Sequence, residues 1–225
     1  LHRVTSIVTA VAGDSVSDDA VLAIGARSNA IGNASISIGE FSDATGNNGA
    51  IAIGGADSDA QSANSTGAAS LSIGQGTDST ATASIAIGFG AQATATAAIA
   101  FGQNTDATGD NCIAIGGDGS DAQSADCSAA RAVAIGRGIL ADDIGEFGFA
   151  SGVFANQSDA HTSIFVLRNN TADATQTELF ADGSAGDISV PSDCTVVFTA
   201  TIVARQTDAD NVSAGYFFKG VIDNN

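Results

Sequence analysis

Few side chains in this chain could do acid or base chemistry, and most of them are aspartates in turns. Three carboxylate pairs lie close in sequence: Asp57 with Asp59, Asp118 with Asp121, and Asp142 with Asp143. Two neighbouring carboxylates are what glycoside hydrolysis requires. All three pairs, however, lie in stretches rich in Gly and Ser, where Asp is favoured because it hydrogen-bonds the local backbone. The surrounding sequence has almost no aromatic residues to hold a sugar, so we expect no enzyme activity.

One short segment is typical of calcium binding. Residues 116–121 are Gly-Gly-Asp-Gly-Ser-Asp, which resembles the start of the calcium-binding nonapeptide of RTX proteins. That family binds Ca²⁺ through many tandem copies, whereas the motif occurs here once. A solvated turn is the alternative interpretation. We therefore expect no cofactor, and if a Ca²⁺ ion binds, Asp118 and Asp121 are its candidate ligands.

The charge of the chain limits its partners. Asp and Glu total 25 against 7 Lys and Arg, so the net charge is -18. Phosphate backbones would be repelled, which predicts no nucleic-acid partner. No apolar run approaches the length of a transmembrane helix, so we expect no membrane insertion. Cys112, Cys127 and Cys194 have unrelated spacings and are expected to be free, packed thiols.

These turns are positioned by a repeat. Ser84-Ile85-Ala86-Ile87-Gly88 is followed at intervals of 14 residues by close copies at 98–102 and 112–116. The glycines that close the repeats are Gly25, Gly39, Gly54, Gly74, Gly88, Gly102, Gly116 and Gly136. A short fixed period indicates a solenoid, with two short strands and two turns in each coil. Stacked at the usual strand spacing, the coils would form a rod about 40 Å long.

Each strand of the repeat has two faces. The expected core consists of Ile85, Ile87, Ile99, Phe101, Ile113 and Ile115. The residue between each apolar pair is always Ala or Ser, and we expect this small row to pack against other copies of the chain. Its candidate contact residues are Ala86, Ala100 and Ala114. A biased composition is the alternative explanation for the small row.

Two coils are 20 residues long instead of 14, and each carries a Ser-Asp-Ala-Gln-Ser-Ala insertion. Insertions in solenoids form loops, so both should project from the same edge. Exposed loops on a rigid scaffold carry recognition. The candidate receptor-binding residues are Asp59, Gln61, Asp121 and Gln123 in the insertions, with Asp208, Asp210 and Asn211 in a polar loop near the C-terminus.

The Ser-Ile-Ala-Ile-Gly unit resembles the head repeat of trimeric autotransporter adhesins of the YadA type. The resemblance covers residues 21–150 and implies a left-handed parallel β-roll assembled as a homotrimer. Residues 146–150 would be a last, degenerate coil whose Phe side chains close the core. The expected organisation is a connector over 1–20, the roll over 21–150, a neck over 151–175, and a small antiparallel β domain over 176–225.

The C-terminal 50 residues resemble a module of predicted phage fibre and virion proteins. The chain shows no heptads of a coiled-coil stalk, which favours a phage fibre over an autotransporter. We therefore expect an all-β, trimeric virion fibre that attaches to a host glycan or outer-membrane receptor. Its N-terminal end would join other virion proteins. A bacterial adhesin head on the cell surface, and a virion decoration that binds no receptor, remain alternatives.

Overall fold

A computed structural model describes residues 9–10, 15–16, 21–56, 58, 61–120, 123–173, 175–206 and 212–225. The chain divides into two compact units, Leu1–Asp187 and Ile188–Asn225. The second unit begins at Ile188. In the described residues, no helix has the length and apolar character needed to cross a membrane.

The first unit is a parallel β-solenoid, as its period predicts, with one strand of each of two sheets in every coil. The eleven strands of sheet 1 are β1 (Thr9–Ala10), β3 (Leu22–Gly25), β5 (Ile36–Ile38), β7 (Ile51–Ile53), β9 (Leu71–Ile73), β11 (Ile85–Ile87), β13 (Ile99–Gln103), β15 (Ile113–Gly117), β17 (Val133–Arg137), β19 (Phe147–Ser151) and β20 (His161–Ile164). The nine strands of sheet 2 are β2 (Ser15–Val16), β4 (Asn29–Ala30), β6 (Asp43–Ala44), β8 (Asn64–Ser65), β10 (Asp78–Ser79), β12 (Gln92–Ala93), β14 (Asp106–Ala107), β16 (Asp126–Cys127) and β18 (Leu140–Ala141).

The strands pair in the register of the repeat. Ile85 aligns with Ile99, and Ile99 aligns with Ile113 in the next coil. The alignment continues across a 20-residue coil, where Ile113 pairs with Val133. In both 20-residue coils the insertion lies between a strand of sheet 1 and the following strand of sheet 2, so both insertions lie on the same edge of the stack, as expected.

The core lies between the two sheets and is built from small side chains. Ala86, Ala100 and Ala114 on sheet 1 are fully buried, as are Ala93 and Ala107 on sheet 2. The hydroxyl oxygens of Ser37 and Ser42, which face each other across an earlier coil, are 2.8 Å apart. The space between the sheets therefore accepts one or two heavy atoms from each side. This narrow gap explains why the central residue is Ala or Ser in every strand of sheet 1 from β3 to β17.

The expected core and contact rows are therefore interchanged. Ile85, Ile87, Ile99, Phe101, Ile113 and Ile115 all lie on the outer side of sheet 1, where Phe101 is 51% and Ile115 39% exposed. Ala86, Ala100 and Ala114 point into the core of their own chain and are not available to another copy. The reason is steric, because an Ile side chain in the central row does not fit between sheets this close together, and where Ile139 is buried the facing residue of that row is Gly148.

The repeated turns need unusual backbone conformations. Gly88 has a φ of +141°, and a Cβ there would overlap the carbonyl oxygen of Gly102 in the next coil. At the other corner of the coil, Ala97 and Asn111 occupy equivalent positions with φ values of 54° and 58°. Glycine is thus required at the first corner by both conformation and space, whereas the second corner tolerates a side chain at a cost in strain.

The C-terminal end of the solenoid is closed by β20, which pairs antiparallel with β19. Gly148 faces inward, and a Cβ there would lie 2.9 Å from the Cδ1 atom of Ile139, a fully buried side chain. Phe147 and Phe149 are 43% and 52% exposed. The expectation that the Phe side chains close the core is therefore wrong, because Ile139 fills the space that Gly148 leaves.

The second unit contains one antiparallel pair, β21 (Cys194–Arg205) and β22 (Ser213–Asn224). All twelve residues of each strand are paired, with Ala200 opposite Phe218 near the middle. The antiparallel arrangement expected for the C-terminal domain is confirmed. Its two strands form a ribbon with apolar side chains on both faces.

Candidate interaction surface

An apolar strip runs along the outer side of sheet 1. It consists of the two side chains that flank the central small residue of each strand from β3 to β19, and we call it the outer strip. Its members are Leu22, Ile24, Ile36, Ile38, Ile51, Ile53, Leu71, Ile73, Ile85, Ile87, Ile99, Phe101, Ile113, Ile115, Val133, Ile135, Phe147 and Phe149. None is charged or polar, although the chain carries a net charge of -18.

The strip is long and accessible. Nine strands at the usual spacing extend over about 40 Å. The exposed fraction reaches 40% at Ile24, 51% at Phe101 and 52% at Phe149. Single exposed apolar residues are ordinary on protein surfaces, but a contiguous apolar patch marks a contact with another macromolecule. The outer strip is thus a surface suited to protein–protein contact.

Hydrogen bonds from hydroxyl groups in the core hold sheet 1, and with it the outer strip, at a fixed distance from sheet 2. The Ser28 hydroxyl donates to the carbonyl oxygen of Ser37 at 3.0 Å, and the Ser37 hydroxyl donates to the carbonyl oxygen of Ser42 at 2.6 Å. Further along, the Ser72 hydroxyl donates to the carbonyl oxygen of Thr77 at 2.9 Å. These bonds join the two sheets across the core, so the outer strip is a preorganised surface.

The sequence contains a signal that could have identified this strip. The interior of a narrow coil made of two sheets admits only small side chains, so a row limited to the size of Ala and Ser indicates the inner face. The flanking row varies among Leu, Ile, Val and Phe, which differ widely in shape. A narrow core would not tolerate that variation, whereas an outer surface does.

The two insertions are built alike where the structure describes them. The Gln61 amide donates to the Ser58 carbonyl at 3.1 Å, and the Gln123 amide donates to the Ser120 carbonyl at the same distance. The Gln123 side chain also accepts a hydrogen bond from Arg137. The remaining candidates of the receptor-binding prediction, namely Asp59, Asp121, Asp208, Asp210 and Asn211, lie outside the described residues. That prediction therefore stays a prediction.

The calcium prediction is likewise only half described, because Asp121 lies outside the described residues. The Asp118 carboxylate forms an ion pair with Arg137, a cation that competes with any metal ion for it. Asp118 also accepts a 3.2 Å hydrogen bond at its backbone carbonyl from the side chain of Asn104, one coil away. Calcium binding at this turn stays a prediction.

A second acidic cluster lies at the end of the solenoid, where Asp142, Asp143 and Glu146 offer oxygen atoms within 4.8 Å of one another. Glu146 is only 3% exposed. Its carboxylate accepts hydrogen bonds from the backbone amides of Asp142 at 3.1 Å and Asp143 at 3.3 Å, and from the Ser163 hydroxyl. Burial raises the pKa of Glu146 above its ordinary value of 4.5. These contacts tie β20 to the last coil, which gives Glu146 a structural role.

Comparison with known proteins places a family match within the solenoid. Residues 79–105 and 93–118 match the YadA head domain repeat in two overlapping copies. No curated protein and no solved structure gives a match to the chain. The matched residues run from β10 to β15, and their pairing continues without a break into the coils on either side. The chain therefore contains a YadA-like head repeat within a longer β-solenoid of the same coil pattern.

Proposed function

We propose that the chain forms the head of a homotrimeric adhesive fibre, with the outer strip of each copy facing the three-fold axis. The observation that carries this proposal is the uncharged, continuous outer strip on an otherwise acidic chain. Three copies with a charge of -18 each repel one another, so they can approach closely only along a surface without charges. The YadA-like repeat supports the same arrangement, because the strip includes the outward residues of the matched coils.

The size of the strip is consistent with a contact between copies. A surface about 40 Å long and 10 Å wide amounts to about 400 Å² per chain. Burying it would contribute about 10 kcal/mol per chain at the usual apolar coefficient. A standard interface buries about 800 Å² per partner. The outer strip thus provides about half of a stable interface, and the trimer requires a further contact.

The oligomeric state tests the arrangement. In native mass spectrometry the full chain should have three times the chain mass of 22.0 kDa. Ile99→Glu places a charge in the strip and should abolish the trimer. Thr94→Glu is the matched control, because Thr94 is exposed directly after β12, the sheet 2 strand of the same coil. A monomeric wild-type chain, or an Ile99→Glu variant that remains a trimer, would contradict the proposal.

We further propose that the assembled head binds a surface receptor, a glycan or an outer-membrane protein, through the two insertions. The function is one of binding, and multivalency from three chains would supply the affinity. Removing residues 57–62 and 119–124 converts both 20-residue coils into 14-residue coils of the ordinary pattern. The shortened chain should remain trimeric and should lose adsorption to cells. Unchanged adsorption would remove the insertions from the proposal and leave the trimer intact.

We propose a virion as the location of the fibre, with the bacterial cell surface as the alternative. The apolar ribbon of the second unit, with its likeness to phage fibre modules, favours a virion fibre. The YadA-like repeat favours the head of a bacterial autotransporter adhesin. Immunogold labelling of purified virions and of bacterial cells with an antibody to the solenoid separates the two. Gold on the cell surface and none on virions would refute the virion fibre, which is the location we propose.

A further inference from the structure

The β21–β22 ribbon carries all its charged residues on one face. Directly paired residues lie on the same face of an antiparallel sheet. One face, which we call the even face, contains Cys194, Val196, Phe198, Ala200, Ile202, Ala204, Ala214, Tyr216, Phe218, Gly220, Ile222 and Asn224. The opposite face contains every charged residue of the ribbon: Arg205, Lys219 and Asp223. The even face is thus the only face of the ribbon without a charge.

Aromatic side chains of the even face contact one another and the neighbouring backbone. The rings of Tyr216 and Phe218 are stacked with centroids 6.3 Å apart. The ring of Phe198 lies over Gly220, where a Cβ would come within 2.8 Å of it. Phe198 is nevertheless 36%, Phe218 48% and Tyr216 54% exposed. The face is therefore arranged for contact but lies uncovered within its own unit.

A ribbon of two strands does not stabilise itself in water and needs a further layer. The proposed trimer supplies one, because it holds two more copies of the same ribbon at high effective concentration. The trimer in turn needs a second contact between its chains, because the outer strip provides only about half of a standard interface. An uncharged face allows three acidic chains to meet, as the outer strip does.

We propose that the even face packs against the even faces of the ribbons of two other copies, so that the second unit is an intermolecular clamp on the trimer. This inference rests on the proposed trimer. The ribbon completes its fold only in the assembly, and Ala200, near its middle, lies close to Ala200 of the other copies. Thr201, the next residue along the strand, lies on the outside.

Cross-linking of the full chain distinguishes the two faces. Cys194→Ser removes the one cysteine of the ribbon, and Cys112 and Cys127 are at most 1% exposed, so they do not react. In this background, a short bismaleimide should join two chains of the Ala200→Cys variant, and a band at twice the chain mass should appear in denaturing gels. The matched Thr201→Cys variant should give no such band.

A second matched pair tests the same face without cysteines. Phe218→Glu should lose the trimer or lower its dissociation temperature, whereas Phe217→Glu, on the opposite face, should leave it unchanged.

The outcomes separate this inference from the proposed function. A wild-type chain that is monomeric by native mass refutes both. A trimer in which Ala200→Cys does not cross-link, or cross-links no better than Thr201→Cys, overturns the clamp and leaves the trimer standing. Protection of the Ala200→Cys thiol without cross-linking would assign the even face to the chain's own solenoid and would also overturn the clamp.

Discussion

Exchanging the sizes of two neighbouring residues on β13 tests the central feature of this fold, the inward small row. Ala100→Val adds two methyl carbons to a fully buried position that lies in register with Ala86 and Ala114. At the equivalent place in an earlier coil, the hydroxyl oxygens of Ser37 and Ser42 are 2.8 Å apart. The gap between the sheets therefore has no space for the two added methyl carbons. Overpacking of this kind costs about 1–3 kcal/mol. Val is also favoured in strands, so any loss must come from packing.

The neighbouring change, Ile99→Ala, should have the opposite signature. Ile99 lies half-buried on the outer strip of the single chain, so its truncation costs the isolated fold little. In the proposed trimer it would remove three buried carbon groups, worth about 2 kcal/mol per chain and about 7 kcal/mol per trimer. The variant should therefore remain folded and dissociate.

Urea denaturation followed by circular dichroism, combined with sedimentation velocity, measures both effects. Ala100→Val should lower the urea midpoint while the protein stays trimeric, whereas Ile99→Ala should lower the sedimentation coefficient at low protein concentration. If Ala100→Val left the midpoint unchanged and Ile99→Ala abolished the β signal in dilute, monomeric samples, the Ile row would be the core, and the inward position of the small row would be refuted.

Three further predictions follow from single contacts. Gly88→Ala should destabilise the fold by several kcal/mol, because its Cβ meets a backbone carbonyl at φ +141°; Gly145→Ala, at φ +69° with open space around it, should cost only about 1–2 kcal/mol of strain in the same thermal melt. Ala97→Asn should raise the melting temperature slightly, because Asn adopts the left-handed φ of 54° at lower cost, and Asn111 already does so one coil later; a lower melting temperature would contradict this. Burial raises the pKa of Glu146, so the folded state binds this proton more tightly than the unfolded state does, and the free energy of unfolding falls as the pH rises above 4.5. Glu146→Gln should make the free energy of unfolding, measured by urea titration between pH 4 and pH 8, less dependent on pH. An unchanged pH dependence would exclude Glu146 as its source.

The repeat was predictable because it depends on local chemistry. Gly88 and its equivalents mark a corner that only glycine can form, so the period, the register and the shared edge of both insertions follow from counting residues. The antiparallel ribbon was predictable for a similar reason, since Val196, Phe198, Ala200 and Ile202 recur at every second position and place apolar side chains on one face of a strand. In each case the pattern depends on neighbours along the chain or one coil away.

The candidate site was predicted only in part. The alternation of Ile99 and Ala100 separates two faces of a strand, but this period of two is the same whichever face is buried in the core. Which face is buried depends on the distance between sheet 1 and sheet 2. That distance is set by the whole coil and cannot be read from the sequence of one strand. The role of Glu146 was missed for the same reason, because its hydroxyl partner Ser163 arrives on β20, a strand outside the repeat.

The sequence by itself therefore determined the coil length, the strand register and the two rows of side chains, because backbone conformation and side-chain alternation are local. Only the tertiary structure decided that the small row is the core and the apolar row is the surface. The physical reason is the width of the coil, since two sheets joined by turns this short leave room only for Ala or Ser in the middle of each sheet 1 strand from β3 to β17, and the larger residues on either side of it face outward.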